Sequence, residues 1–240
     1  EDGKPVPKVV RVPPGEEGRT ISISQTIADR VLLRQESVLT ADALADERFK
    51  EGHSVVAPEA ANRTAQALRD ANRAIYDRML AENDKQGMGT TASVLVLSDD
   101  RYLIGQIGDS RIYMLRDGAL VQITKDHSYV QEQVDAGLLT PEQARYHPYS
   151  NVITRCVGAG ESVEPDLYAG DVKPGDVFLV ASDGLTGMLD DRRLQQILLS
   201  RSGPGRIVDA LIADANGRGG LDNITAIVVQ VVGFDTPETD

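Results

Sequence analysis

Between Ala92 and Thr124 the chain sets four short apolar runs against sequences that turn the backbone sharply. Ala92–Leu97 meets Asp99-Asp100, and Tyr102–Ile107 meets Gly108-Asp109-Ser110. Arg111–Leu115 and Leu120–Thr124 flank Asp117-Gly118, a pair that suits the positive φ angles of a two-residue hairpin turn. Strands joined by such short turns run antiparallel, because a parallel return needs a crossover of a dozen residues or more. Such connections favour an antiparallel α+β layer fold over a parallel doubly wound one.

The flanking segments fit that plan. Pro58 suits a first helical position, and Ala61, Ala65, Leu68, Ala71, Ile75 and Met79 repeat at spacings of three and four, which predicts a helix ending before Gly87. A helical excursion is expected over Tyr129–Arg145, with Thr140-Pro141-Glu142-Gln143 as a capping box inside it. Further strands are expected at Val152–Val157, Val163–Tyr168, Val177–Ala181 and Ile224–Val232, with helices near Asp191–Leu199 and Ile207–Asn216. The expected division is a linker and irregular segment over 1–57, a main domain over 58–233 and a tail over 234–240.

Composition narrows the function. The formal net charge is -12, from 25 Lys and Arg against 37 Asp and Glu, so a polyanion such as nucleic acid or an anionic membrane is repelled. The single Cys156 cannot close an internal disulfide, which fits a reducing, cytoplasmic compartment. No apolar run reaches the roughly 18–20 residues of a membrane span. The first residue, Glu1, is not Met, which suggests a piece or processed product of something longer.

Three aspartates stand where strands meet loops: Asp109 in the Gly108-Asp109-Ser110 turn, Asp183 after Val177–Ala181, and Asp222 before the last apolar strand. If the last two strands pair antiparallel, the end of one and the start of the other share a sheet edge, and Asp183 and Asp222 converge there with Asp109 beside them. Converging carboxylates resist ionising together unless a cation compensates, and oxygen ligands of this kind select Mg²⁺ or Mn²⁺. The plainer alternative is that each Asp caps an ordinary turn, and spacing by itself leaves a metal hydrolase as one option among several.

Six segments then occur in a telling order: Gly87-Met88-Gly89-Thr90-Thr91, Gln106–Tyr113 (QIGDSRIY), Asp126-His127-Ser128, Asn151-Val152-Ile153-Thr154-Arg155, Leu179–Leu185 (LVASDGL) and Asp222-Asn223-Ile224-Thr225. In order and spacing they resemble the bacterial branch of the type 2C metal-dependent Ser/Thr protein phosphatases, from about Ala61 to Val232. The resemblance implies two stacked antiparallel sheets flanked by helices, and hydrolysis of phosphoserine and phosphothreonine by metal-activated water. It implies Asp183 and Asp222 as ligands of a binuclear Mn²⁺ or Mg²⁺ centre, Asp109 as ligand of an additional ion, and Ser128–Asn151 as a variable flap beside the site. Phosphorylated proteins, with Ser/Thr kinases and their substrates among them, are the partners it implies.

The sequence also departs from that family. The early Arg and the Asp-Gly-Met/His-Gly-Gly motif, whose Asp bridges both metals, find no match before Pro58. There Ile21–Phe49 shares a weak similarity with part of a GAF sensor domain, the alternative being a helix and loop packed on the main domain. A second functional reading therefore belongs beside the enzyme: a degenerate phosphatase domain that binds a phosphoprotein or regulatory partner without turnover. No catalytic acid or base is assigned; His127 reads as a hydrogen-bonded structural residue, Arg111 and Arg155 are by type the candidates to replace the missing phosphate-binding Arg but read as structural, His53 and His147 as exposed, and Cys156 as a small buried apolar residue.

Overall fold

Apolar side chains alternate along the strands so that each sheet has two faces to cover, and in the computed structural model both are covered. The structure describes residues 58–98, 100–200 and 202–233. The readings placed on 1–57, on His53, on Asp99 and on the tail lie outside the described residues. Strands β1 (Ala92–Ser98), β2 (Arg101–Ile107) and β5 (Asp166–Asp171) form one antiparallel sheet in the order β1-β2-β5. Strands β3 (Arg111–Arg116), β4 (Ala119–Gln122), β6 (Val177–Ala181) and β7 (Ala226–Gln230) form the other, in the order β4-β3-β6-β7. The hairpin at Asp117-Gly118 has φ of 50° and 82°, the paired positive angles that its sequence calls for.

The sheets stack through a layer of Tyr102, Ile104, Ile112, Tyr168, Val172 and Phe178, in which Tyr102 meets Phe178 edge-on with ring centroids 5.5 Å apart. Phe178 faces this layer while Val177, Leu179 and Ala181 face the helices on the other side, so β6 is apolar throughout because both of its faces are covered.

Helix α1 (Pro58–Ala81) lies on the outer face of the first sheet, where Ala61 and Ala65 meet Leu103 and Leu167, and Leu68 and Ala71 meet Ile107 and Val157. A Cβ at Gly105 would stand 2.8 Å from both Leu68 Cδ1 and Thr64 Cγ2, so glycine there lets the helix close on β2. The outer face of the second sheet is covered by α4 (Asp183–Thr186), α5 (Asp191–Leu198) and α6 (Pro204–Gly217), through Leu185, Leu194, Ile197, Leu198, Ile207 and Leu211. Asp190 caps α5, its Oδ1 accepting from Arg193 N–H at 2.7 Å. Asp190→Ala is expected to cost about 1 kcal/mol, read as a lower urea midpoint at unchanged slope.

Three expectations are corrected. The strand expected at Val152–Val157 is absent; the segment makes only isolated bridges, Ser128↔Ile153 and Thr90↔Val157. Its backbone serves two different partners, and Val152 and Ile153 lie at the surface instead of alternating into a core. The strand expected at Val163–Tyr168 begins at Asp166, because Pro165 has no N–H to give a ladder. The excursion at Tyr129–Arg145 divides into α2 (Tyr129–Asp135) and α3 (Pro141–Arg145), separated by Gly137 at φ 71°. The capping box forms as expected: Gln143 N–H donates to Thr140 Oγ1 at 3.2 Å, and Thr140 N–H to Gln143 Oε1 at 2.8 Å.

Candidate metal centre and the groove beside it

Antiparallel pairing decides which aspartates meet. Strands β3 and β6 pair with Arg111 opposite Ala181, so Asp109 just before β3 and Asp183 just after β6 emerge at one edge. Gly108 has φ 104°, and a Cβ there would lie 2.3 Å from Thr91 Cγ2, so this turn requires glycine. From inside, Gln106 Nε2 donates to Gly108 O at 2.9 Å and to Ser110 O at 2.7 Å, holding the turn closed around Asp109.

Asp222 reaches the same edge from β7, whose Ala226 pairs with Ala181. Ser182 stitches the two loops together. Its N–H donates to Thr225 O at 3.1 Å, while its Oγ accepts from Thr225 N–H at 3.0 Å and donates to Asn223 O at 3.2 Å. A Cβ on Gly184 would lie 2.3 Å from Asn223 O and 3.3 Å from Asp222 Cβ, so the loop of Asp222 closes directly on the start of α4. Asp183 Oδ1 accepts from Gly184 N–H at 2.9 Å, and Asp222 Oδ1 from Asn223 N–H at 2.6 Å, which turns both carboxylates toward their own loops.

Burial, and then the charge of Asp183, push the Asp109 carboxyl up to about 6. An acidic group disfavoured as an anion by burial and by a neighbouring carboxylate fits a hard divalent cation, which relieves the repulsion and completes its shell with water. Asp222 is exposed and lies outside the lining of the adjoining groove. Among the described residues no group of three or more metal-ligating side chains is gathered closely enough to enclose an ion. The residues present therefore suit an ion held by Asp109 and Asp183 with water making up the rest, with Asp222 on the flank.

A groove of about 870 Å³ runs from this edge beneath α2 and α3, lined in part by Asp109, Asp183, Arg111, Asp126, Arg145 and Asp191. Its floor is an ion-pair network that the aspartate pattern did not reveal. Arg111 Nε donates to both oxygens of Asp126 at 3.0 Å and its Nη2 to Oδ2 at 2.7 Å, while Gln122 Nε2 adds a bond to Oδ1 at 3.0 Å. Arg111 Nη1 also donates to Tyr113 OH at 3.1 Å, and that hydroxyl donates to Asp191 Oδ1 at 3.1 Å. Arg111 is thus held in a structural ion pair, as expected, but its partner Asp126 stands in the sequence with no local mark of the role.

His127 is buried, as expected of a structural histidine, and its Nδ1 accepts from Gly108 N–H at 3.0 Å. Its Nε2 lies 3.1 Å from Asp166 Oδ2, off the line of a well-aligned hydrogen bond. Arg155 Nη1 donates to the other oxygen of Asp166 at 2.5 Å. Burial raises the Asp166 carboxyl, but contact with His127 and Arg155 overcomes this and holds it down at about 2. The stabilisation this carries is fully present above the ordinary carboxylate range near 4 and is lost as pH falls toward about 2. His147 is half-buried, stacked near Tyr129 and Tyr149, where exposure was expected; Cys156 is likewise half-buried, facing the backbone at Gly89.

The protein phosphatase 2C family pattern matches residues 35–204, beginning ahead of Pro58. A protein phosphatase 2C-type relative from Streptococcus pyogenes is 41% identical over 164 residues, which cover 68% of this chain and 66% of the relative. The serine/threonine protein phosphatase PstP of Mycobacterium tuberculosis is 40% identical over 173 residues, covering 72% of this chain and 33% of its own length. The chain thus spans less than two thirds of either relative. Among solved structures, the catalytic domain of PstP in complex with two manganese ions superposes with a TM-score of 0.66 at 36% identity, covering 80% of this chain and 78% of that one. Two stacked antiparallel sheets, carboxylates at one edge and a family match over most of the sequence point the same way: this chain belongs to the protein phosphatase 2C family.

Proposed function

We propose that the chain is a metal-dependent protein serine/threonine phosphatase domain that hydrolyses phosphoserine and phosphothreonine on proteins, with Mn²⁺ or Mg²⁺ as cofactor. The observation that carries this is the placing of Asp109 and Asp183 at one edge by the β3–β6 pairing, where burial and the charge of Asp183 disfavour the Asp109 carboxylate unless a cation is present. Asp109 and Asp183 are the proposed primary ligands, and Asp222 a further one from the neighbouring loop. Such an ion, when bound, lowers the pKa of a water and holds phosphoryl oxygens. The chain's own part is to fix the carboxylates on rigid strand ends and to offer the groove lined by Arg111 and Arg145 to the phosphorylated segment. The manganese ions of the PstP structure and the phosphatase names of the relatives support the same reading.

The unit proposed to carry the activity is 58–233. Signalling phosphoproteins, including Ser/Thr kinases and their substrates, are the proposed partners, and the single thiol supports a reducing, cytoplasmic setting. No helix among the described residues is long and apolar enough to cross a membrane. The test is hydrolysis of a phosphothreonine peptide with Mn²⁺, with Mg²⁺ and after chelation. Turnover is expected only with metal, and Asp222→Asn is expected to raise the Mn²⁺ concentration needed for it. Turnover unaffected by chelation would sink the proposal.

A further inference from the structure

One residue touches both the turn that carries Asp109 and the base of the flap. His127 brackets the Gly108 peptide from two sides: its imidazole Nδ1 accepts Gly108 N–H at 3.0 Å, and its own backbone N–H donates to Gly108 O at 2.9 Å. With Gln106 Nε2 also on that oxygen, every polar group of Gly108 is engaged. Asp109 is the next residue. His127 immediately precedes the flap, and its carbonyl accepts from Thr154 N–H at 2.8 Å on the return strand of chain. The bridge Ser128↔Ile153 and the bond from Tyr129 N–H to Val152 O at 2.8 Å continue that closure.

The ring's orientation is itself specified. An imidazole whose Nδ1 accepts carries its proton on Nε2, and here Nε2 faces Asp166, which Arg155 grips from its other side. A positive-φ glycine that lacks a side chain has few ways to be held in place, so its two backbone groups are the handles, and His127 takes both.

We infer that His127 is a positioning residue: it fixes the Gly108 peptide so that Asp109 points at the metal edge, and it ties that peptide to both ends of the flap. This inference rests on the proposed metal site and deepens it. His127 itself needs to touch neither substrate nor metal; it acts through Gly108 and Asp109. Flap and carboxylate are then one mechanical unit, so that displacement at the flap base reaches Asp109 through a single hydrogen-bonded residue.

The test compares His127→Gln with His127→Asn. Asparagine places Oδ1 where Nδ1 stands and keeps an acceptor for Gly108 N–H. Glutamine keeps polarity and more of the bulk but carries its amide one atom too far. Two quantities are read: Mn²⁺ affinity by isothermal titration calorimetry, and the Gly108 amide exchange rate by NMR without metal. His127→Gln is expected to weaken Mn²⁺ binding about 10–100-fold, the usual cost of losing a residue that orients a ligand, and to speed Gly108 exchange. His127→Asn is expected to stay within about threefold of the parent in affinity and to keep the Gly108 amide protected. Melting temperatures of the two variants are expected to be similar, so a purely structural role would not separate them. Unchanged affinity and exchange in His127→Gln, or an asparagine variant as impaired as the glutamine one, would overturn the inference. If the parent protein binds no Mn²⁺, the metal reading fails, while the exchange rates still decide whether His127 clamps Gly108.

Discussion

Asp183→Asn is expected to lower kcat/KM on a phosphothreonine peptide by at least about 10²–10³, the scale of one lost electrostatic contact at a reacting centre, and to remove measurable Mn²⁺ binding. The substitution is nearly isosteric. The amide oxygen of the variant can still accept the Gly184 N–H that Asp183 holds at 2.9 Å, so the first turn of α4 keeps its bond. Leu185 and Thr186 in that turn stay buried, and the fold is expected to survive. What changes is charge. Half-buried Asp109 is then left with only the exposed Asp222 on the flank, and the site loses the carboxylate that stands between them in the proposed ligand set. Calorimetric titration with Mn²⁺, peptide kinetics and a melting curve together separate loss of the site from loss of the fold. A folded variant that retains parental Mn²⁺ affinity would show that the ion sits elsewhere.

Local rules reached some parts of this structure and not others. The run Val177–Ala181 was legible as a buried strand because both of its faces are covered, and Asp117-Gly118 because only certain residues accept the required angles. Pro165 carried an equally local message, the missing N–H, that a count of apolar residues across 163–168 overrides. Residues 152–157 read as a strand because Val and Ile are plentiful there; their place between the flap base and Thr90 is set by distant partners. The candidate site divides in the same way. Asp109, Asp183 and Asp222 were visible because strand ends mark positions on a sheet edge. That Asp109 and Asp183 are the pair sharing the groove follows from the β3–β6 pairing, which no spacing encodes. The Arg111–Asp126 and Tyr113–Asp191 contacts, and the grip of His127 on Gly108, join residues through tertiary geometry alone.

Asp126→Ala tests the floor of the groove and is expected to cost about 3–5 kcal/mol of stability, the range for breaking a buried pair by removing one partner. Asp126 keeps 8% of its side chain exposed and Arg111 keeps 25%. The residual access of water to the guanidinium places the expected loss near the lower end, about 3 kcal/mol. The loss is large because Asp126 is not one bond among many for Arg111. It takes Nε and Nη2, leaving only the bond from Nη1 to Tyr113 OH. Without it a cation stays in a half-dry groove, Gln122 keeps only its bond to Thr124 O, and the peptide link to His127 loses its anchor. Replacing both charged residues, Arg111→Leu with Asp126→Leu, is expected to cost clearly less than Asp126→Ala, since no uncompensated charge remains. Urea unfolding of the parent, Arg111→Leu, Asp126→Leu and the double variant gives the coupling between the two positions directly. A double variant as unstable as the sum of the singles would show that the pair does not act as a unit, and that the cost of Asp126→Ala arises from packing.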